Sequence, residues 1–383
     1  MLMRQRLHDD RRVAFLRAQH RCRDCASNGQ QQREQDQEPE SEAFHGYGLC
    51  NSVARQNIQL GAQCLPPSKA AMDRIIIDTD PGQDDALALL VALGSPELEL
   101  LGVTTVAGNV QVTQTADNAR RILELAGRGD VPVFAGAQRP LLRPPRPVPE
   151  IHGETGIDGW DWPPAQRPPE AAHAVDWLVE TLLREPAQSI SLIALAPQTN
   201  IALALRRAPE IAARLKRLVF MGGSYFEGGN TTPAAEYNIL VDPEAAAIVL
   251  AAGIDTIAVP LDCTHSAPAP VDWSAALEAL GTGVGKACGS MVRLFERYGN
   301  RKYGTRSRPL HDAVAVGVFL WPELFDGRLC PVDVECAGRL TTGMTVVDWV
   351  HQTGAADNCH WVRSCRDPAL LYARMLECLS RLP

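Results

Sequence analysis

The chain has 383 residues, of which 45% are hydrophobic, so it can bury a substantial core in one large α/β domain or two smaller ones. A formal net charge of -8 argues against a nucleic-acid-binding surface, which usually needs a basic stripe. The sequence contains no run of about 18 apolar residues, so no transmembrane helix is expected. The apolar stretch near the start is too short for a signal peptide, and a cytoplasmic location is therefore expected.

Residues 1–71 differ in composition from the rest of the chain. Positions 30–42 read QQQREQDQEPESE, which is polar and of low complexity, so 1–71 is predicted to be a disordered extension. The chain contains 11 scattered cysteines, which without a secretory signal favour free thiols over disulfides. Cys22 and Cys25, with His20 nearby, resemble half of a zinc site, but a structural zinc ion is usually bound by four ligands. The extension is expected to be dispensable, and a metal-dependent or regulatory module there is the alternative.

From residue 72 onwards the sequence alternates between strand-like and helix-like segments. Short β-branched or apolar runs predict strands at 74–79, 98–106, 131–135, 190–194, 217–221 and 254–259. Helical apolar spacing predicts helices at 84–93, 113–126, 172–183, 200–207 and 243–251. This alternation implies right-handed βαβ units, so residues 72–383 are predicted to form a single doubly wound α/β domain around a mostly parallel sheet. The proline-rich stretch 138–169 is too long for a plain connector, and loops of that length are usually functional or mobile.

Four carboxylates follow the first predicted strand, in the segment 78–86, which reads DTDPGQDDA. Ligands of open α/β sheets bind beyond the carboxyl ends of strands, where Asp80 is expected, with Asp84 and Asp85 at the start of the next helix. Carboxylates so close together repel unless a cation or a proton compensates them, and a hard divalent cation with oxygen ligands meets that need. Helix capping is the alternative, but it accounts for one or two aspartates rather than four.

This segment resembles the signature of the nucleoside hydrolase family, in which DTDPG and any one residue precede DDA. Further blocks resemble that family in the same order, at 105–109 (TVAGN), 152–156 (HGETG), 221–224 (MGGS), 235–238 (AEYN), 242–245 (DPEA), 310–312 (LHD) and 342–345 (TGMT). The resemblance covers nearly all of 72–383. It implies a doubly wound α/β fold, a bound Ca²⁺ and hydrolysis of the N-glycosidic bond of ribonucleosides to ribose and free base.

The resemblance also implies a metal site and a general base. Asp80, Asp85 and Asp312 would bind Ca²⁺ through their carboxylates, and Leu195 through its backbone carbonyl. Where the family has a GPLTN-like turn, residues 196–200 read APQTN, a change that a carbonyl ligand tolerates. Asp84 would be the general base that takes a proton from the attacking water.

Substrate contacts follow from the same resemblance. Asn109, Asn238 and Asp312 would hold the 2′ and 3′ hydroxyls of ribose, while Asn230 and Glu236 would hold the 5′ hydroxyl. Asparagine is also common in turns and caps, which is the alternative for the amides.

Two histidines are candidate site residues, one next to the nucleobase of the substrate and one in the HGE-containing loop. His311 would face the base and assist its departure, and His152 would contact the substrate. For each, a buried and hydrogen-bonded histidine without chemistry is the alternative. Tyr298 and Tyr303 lie in the segment that closes over the base in relatives, although aromatic residues there could equally serve packing.

Two other functions compete with nucleoside hydrolysis. A magnesium-dependent phosphohydrolase would use Asp78 as nucleophile and Asp80 as acid, but Asp84 and Asp85 would then have no role. A non-catalytic nucleoside-binding protein would be expected to lack the general base or a metal ligand, but the sequence contains all of these candidate residues. A histidine at position 311, rather than a stacking aromatic residue, favours pyrimidine or broad base specificity. Partners are expected to be a small nucleoside and one or three further copies, giving a homodimer or homotetramer as in relatives.

Overall fold

The computed structural model describes residues 72–303 and 309–383, without the side chains of 296–303. The predicted extension 1–71, with Cys22 and Cys25, lies outside the described residues, as do the side chains of Tyr298 and Tyr303. No helix within the described part is long and apolar enough to cross a membrane.

Strands and helices alternate through the first two thirds of the described chain. The strands are β1 (Asp73–Thr79), β2 (Leu98–Thr105), β3 (Val133–Ala135), β4 (Ile190–Ala194), β5 (Leu215–Met221), β6 (Thr256–Val259), β7 (Phe325–Cys330), β8 (Val332–Val334), β9 (Thr345–Val347) and β10 (Cys359–Cys365). The helices are α1 (Gln83–Gly94), α2 (Val112–Leu125), α3 (Pro149–His152), α4 (Ala174–Arg184), α5 (Thr199–Arg207), α6 (Tyr237–Val241), α7 (Pro243–Leu250), α8 (Leu261–His265), α9 (Trp273–Glu278), α10 (Gly283–Tyr303), α11 (His311–Leu320) and α12 (Pro368–Ser380). Short 3₁₀ turns lie at Pro209–Arg214 and Pro322–Leu324.

Eight of these strands form one sheet in the order β3-β2-β1-β4-β5-β6-β10-β7. Every pairing is parallel except that of β10 with β7, which is antiparallel. The chain builds outward from β1 to β3 on one side and then continues from β4 on the other side of β1. The strand order therefore reverses between β1 and β4, and such switch points create the crevice in which doubly wound proteins bind ligands. The doubly wound α/β prediction is confirmed.

The core lies on both faces of the sheet. In β1, Ile75, Ile76 and Ile77 are all fully buried, as expected of a parallel strand covered by helices on both faces. Ile75 and Ile77 pack into the apolar cluster that includes α1 and α11, whereas Ile76 packs into the opposite cluster that includes α4 and α5. Burying each such side chain contributes about 1.5–3 kcal/mol, so β1 is firmly held as the base for the loop that follows it.

Candidate active site

The aspartate-rich loop between β1 and α1 lies at the switch point of the sheet, together with the start of α11. Asp80, Asp84 and Asp85 come from the loop and first turn of α1, and Asp312 comes from the first turn of α11. All four are buried. Carboxylate oxygens of Asp84, Asp85 and Asp312 lie within 4.8 Å of one another. The two distant parts of the predicted cluster are therefore brought together.

The carboxylates of this cluster repel one another. Burial raises the pKa of Asp80 and Asp312 well above the usual range, and negative neighbours, chiefly Asp85 and Asp84 respectively, raise them further. Burial likewise raises the pKa of Asp84 to about 6. Among the described residues that line the adjoining cavity, none is lysine or arginine. The donors are hard oxygens, so the cluster fits a hard divalent cation such as Ca²⁺.

Backbone and hydroxyl donors hold two of these carboxylates in place. The Asn109 amide N–H donates to Oδ2 of Asp80 over 2.6 Å. Asp85 accepts from the Gly82 amide over 2.9 Å and from the Thr79 hydroxyl over 2.5 Å. The Asn109 side chain also donates to the Asp80 carbonyl and to Asp85, over 3.2 and 3.3 Å. Asn109 thus orders the cluster itself, in addition to lining the cavity.

Asp78 lies behind the cluster rather than in it. Its side chain is fully buried and is not among the residues that line the cavity. One carboxyl oxygen accepts from the Thr104 hydroxyl over 2.5 Å and from the Asn200 amide over 2.8 Å. Burial raises the pKa of Asp78 to about 7. A buried group without access to the cavity cannot serve as a nucleophile, which removes the basis of the phosphohydrolase alternative.

A cavity of about 820 Å³ opens above the carboxylates, a volume in the range typical of small-molecule sites. Asp80, Asp84 and Asp312 line one part of it, and Leu195 lies at the end of β4 beside them. The loop 138–169, predicted to be functional or mobile, contributes Val148, Ile151 and His152 through α3. All the predicted site residues except Asp85 line this cavity, and Asp85 lies directly beneath it.

The predicted sugar-binding residues also have structural partners. The Asn238 side chain donates to the backbone carbonyls of Leu195 and Met221 over 3.0 and 3.2 Å, which leaves its carbonyl oxygen to accept from a ligand. Glu236 caps α6, because its carboxylate accepts from the amides of Asn238 and Gly223 over 2.9 and 3.0 Å. Burial raises the pKa of Glu236 to about 7. Glu236 therefore both caps α6 and lines the cavity.

Asn230 is held in the same way, since its side-chain oxygen accepts from the Tyr237 amide over 3.0 Å. The two predicted histidines differ in their surroundings. His311 pairs through Nδ1 with the Thr264 hydroxyl at 2.8 Å and lies 5.8 Å, ring to ring, from His265. His152 is buried and pairs through Nδ1 with Oε1 of Gln83 at 2.7 Å. Both histidines line the cavity, and Nδ1 of each ring is engaged by a protein side chain.

The sequence reasoning missed several cavity residues. His265 follows β6 on α8, and its Nδ1 lies 3.2 Å from a carboxylate oxygen of Glu227. The loop that carries Glu227 is anchored by buried Asp262, which accepts from the amides of Phe226 and Glu227 over 2.8 and 2.9 Å and from the Trp361 indole over 3.0 Å. These contacts join residues 35 to 99 positions apart, so no local pattern reveals them.

A doubly wound sheet with buried carboxylates beneath a cavity at its switch point is the arrangement expected of an α/β enzyme that acts on a small molecule. Residues 75–371 match the family described as inosine-uridine preferring nucleoside hydrolase. The chain belongs to this family and is an N-ribohydrolase.

Individual relatives agree with the family match. An uncharacterised protein of Schizosaccharomyces pombe is 46% identical over 310 residues, which is 81% of this chain and 100% of the relative. The pyrimidine-specific ribonucleoside hydrolase RihA of Escherichia coli is 41% identical over 285 residues, covering 74% of this chain and 91% of that protein. Among solved structures, the plant nucleoside hydrolase PpNRh1 superposes with a TM-score of 0.76 at 30% identity, over 80% of this chain and 99% of its own.

Proposed function

We propose that the chain uses Ca²⁺ to hydrolyse ribonucleosides to ribose and free base, with pyrimidine or broad base specificity. The observation that carries this proposal is the buried carboxylate cluster, uncompensated by lysine or arginine among the described lining residues, at the floor of the cavity. The pyrimidine specificity of the Escherichia coli relative, 41% identical to this chain, supports the choice of bases.

The residues proposed to hold the ion are Asp80, Asp85 and Asp312, with the Leu195 carbonyl. Four hard oxygen donors suit Ca²⁺ better than zinc, which prefers nitrogen and sulfur. When bound, a divalent cation there would offset the clustered negative charge and act as a Lewis acid. Asp84 lies close to Asp85 and Asp312, and its proposed role is that of general base rather than ligand.

Asp84 is proposed to be the general base. It lines the cavity, so water next to a bound sugar can reach it. Asp80 lines the same cavity and is the competing candidate. The reaction would develop positive charge on the ribose, as in other glycoside hydrolyses, and the neighbouring carboxylates would stabilise that charge.

The remaining polar residues are proposed to select ribose and release the base. Asn109, Asn238 and Asp312 would hold the 2′ and 3′ hydroxyls, and Asn230 and Glu236 the 5′ hydroxyl. A site built to bind hydroxyls rejects analogues that lack them, because its own buried polar groups would remain unpaired. His311, which lies beside His265, would face the nucleobase and assist its departure.

Initial rates of ribose release from uridine, cytidine, inosine and adenosine test this function. Uridine and cytidine should be hydrolysed, with inosine also a substrate if specificity is broad, while p-nitrophenyl phosphate should release no phosphate. Phosphate release without ribose release would overturn the proposal. Hydrolysis of the purine nucleosides alone would overturn the base preference and leave the reaction class intact.

A further inference from the structure

Gln83 occupies the variable position of the aspartate-rich segment, and nothing in the proposed reaction assigns it a role. It is the first residue of α1 and its side chain is buried among the loop residues of 149–158. Its side-chain nitrogen donates to the backbone carbonyls of His152 and Asp158 over 3.0 and 3.2 Å. Its side-chain oxygen lies 2.7 Å from Nδ1 of His152.

These three contacts leave one consistent arrangement of protons. Both hydrogens of the Gln83 amide are used by backbone carbonyls, which can only accept. The amide cannot be flipped, so the atom facing His152 is the carbonyl oxygen, which also can only accept. Nδ1 of His152 must therefore carry a proton. In a neutral imidazole the other nitrogen, Nε2, is then an acceptor.

His152 is placed to use that acceptor at the sugar end of the cavity. A Cβ atom built on Gly82 would lie 2.5 Å from Nδ1 of His152 and 3.0 Å from the Asn109 side-chain nitrogen, so His152 packs next to Asn109 and the carboxylate cluster. The neutral form is favoured because burial lowers the pKa of His152 to about 4. With Nδ1 occupied, Nε2 is the ring nitrogen left for a ligand in the cavity that His152 lines.

We propose that Gln83 is a positioning residue that fixes the Nδ1–H tautomer of His152, so that Nε2 accepts a hydrogen bond from a ribose hydroxyl of the nucleoside. This inference rests on the proposed function. It makes Gln83 a determinant of sugar specificity, acting through His152 without touching the substrate.

Asn118 offers a matched control. Its side-chain nitrogen donates to the backbone carbonyls of Thr155 and Pro81 over 2.7 and 3.1 Å, so it ties the same loop to the same turn. No contact of Asn118 involves the His152 ring in the described structure. Asn118→Leu therefore loosens the loop without changing the imidazole partner. Gln83→Met removes the partner, and Gln83→Glu keeps an acceptor for Nδ1 while losing both amide donors.

The first readout is the tautomer of His152, measured by long-range ¹H–¹⁵N correlation on the full chain, with His152→Gln used for assignment. Wild type, Asn118→Leu and Gln83→Glu should show a proton on Nδ1, whereas Gln83→Met should shift His152 towards the Nε2–H form. An Nε2–H ring in the wild type would overturn the inference. An unchanged tautomer in Gln83→Met would also overturn it. If Gln83→Met fails to fold, loss of the Nδ1 proton in Gln83→Glu would overturn the inference instead.

The second readout is kcat/KM for uridine against 2′-, 3′- and 5′-deoxyuridine. Gln83→Met should lower kcat/KM for uridine by roughly 3- to 10-fold, the scale of one neutral hydrogen bond, and should lose discrimination against one of the three deoxy analogues. Asn118→Leu should keep all three ratios. Equal discrimination in Gln83→Met and wild type would overturn the sugar contact. If the wild type released ribose from no nucleoside, the proposed function would fail, and the tautomer measurement would still decide the role of Gln83.

Discussion

Gly108→Ala is a sharp test of how tightly the carboxylate cluster is built. A Cβ atom at position 108 would lie 1.9 Å from Oδ2 of Asp80 and 2.8 Å from its Cγ. Ordinary contact begins near 3.4 Å, so the carboxylate or the Gly108 backbone would have to move by the difference of 1.5 Å. The same Oδ2 accepts the 2.6 Å hydrogen bond from the Asn109 amide, so that bond would break or stretch.

A displacement of this size has two measurable consequences. Misplacing a reacting group by about 1 Å can cost roughly 10²-fold in rate, so kcat/KM for uridine should fall by about that factor. Overpacking in a close-packed interior costs about 1–3 kcal/mol, so the free energy of unfolding measured in urea should fall by that amount. Gly129→Ala is the control, because its Cβ would meet the nearest atom, Cγ of Glu124, at 3.5 Å. Equal kcat/KM and calcium affinity in the two variants would refute the argument that Gly108 is required for the placement of Asp80.

Two further predictions concern individual carboxylates. Asp84→Asn should lower turnover by roughly 10²–10⁴-fold while leaving calcium affinity, measured by calorimetric titration, broadly intact, whereas Asp80→Asn should weaken calcium binding itself. Near-normal turnover of Asp84→Asn at saturating calcium would show that the assigned base is wrong. Burial raises the pKa of Asp78 from its ordinary value of 3.8 to about 7, so the folded protein holds a proton that the unfolded chain releases between those values. The free energy of unfolding should therefore fall as pH rises from 4 to 7. Asp78→Asn, which mimics the protonated form, should flatten that slope in urea titrations, and a slope equal to that of the wild type would exclude Asp78 as its source.

The strand and helix pattern was predictable because it is local. Each of the six predicted strands is present within two residues at either end, and the five predicted helices are present to a similar accuracy. A buried run such as Ile75 to Ile77 contains its own signal, since β-branched residues suit a strand covered on both faces. Nothing comparable predicted the antiparallel edge strand β7, whose alternate residues Leu329 and Gly327 are exposed.

The candidate site was predictable in part for the same reason. Asp80, Asp84 and Asp85 lie close in the chain and follow a strand, so their clustering is visible locally, and the family resemblance added Asp312 from a distant helix. The Gln83–His152 pair spans 69 positions and the anchoring of the Glu227 loop by Asp262 spans 35, so both depend on packing that no local window contains. Glu236 shows a further limit, because one side chain both caps α6 and lines the cavity.

The most direct test of the central claim is a calcium titration of exhaustively chelated protein, with ribose release from uridine followed at each step. If the carboxylate cluster holds an essential Ca²⁺, the verified metal-free protein should be inactive. Added Ca²⁺ should restore activity with a saturating dependence on its concentration, and Zn²⁺ should restore less, because the proposed ligands are all hard oxygens. Full activity in the metal-free protein, or restoration by Zn²⁺ but not by Ca²⁺, would contradict the proposed requirement for Ca²⁺.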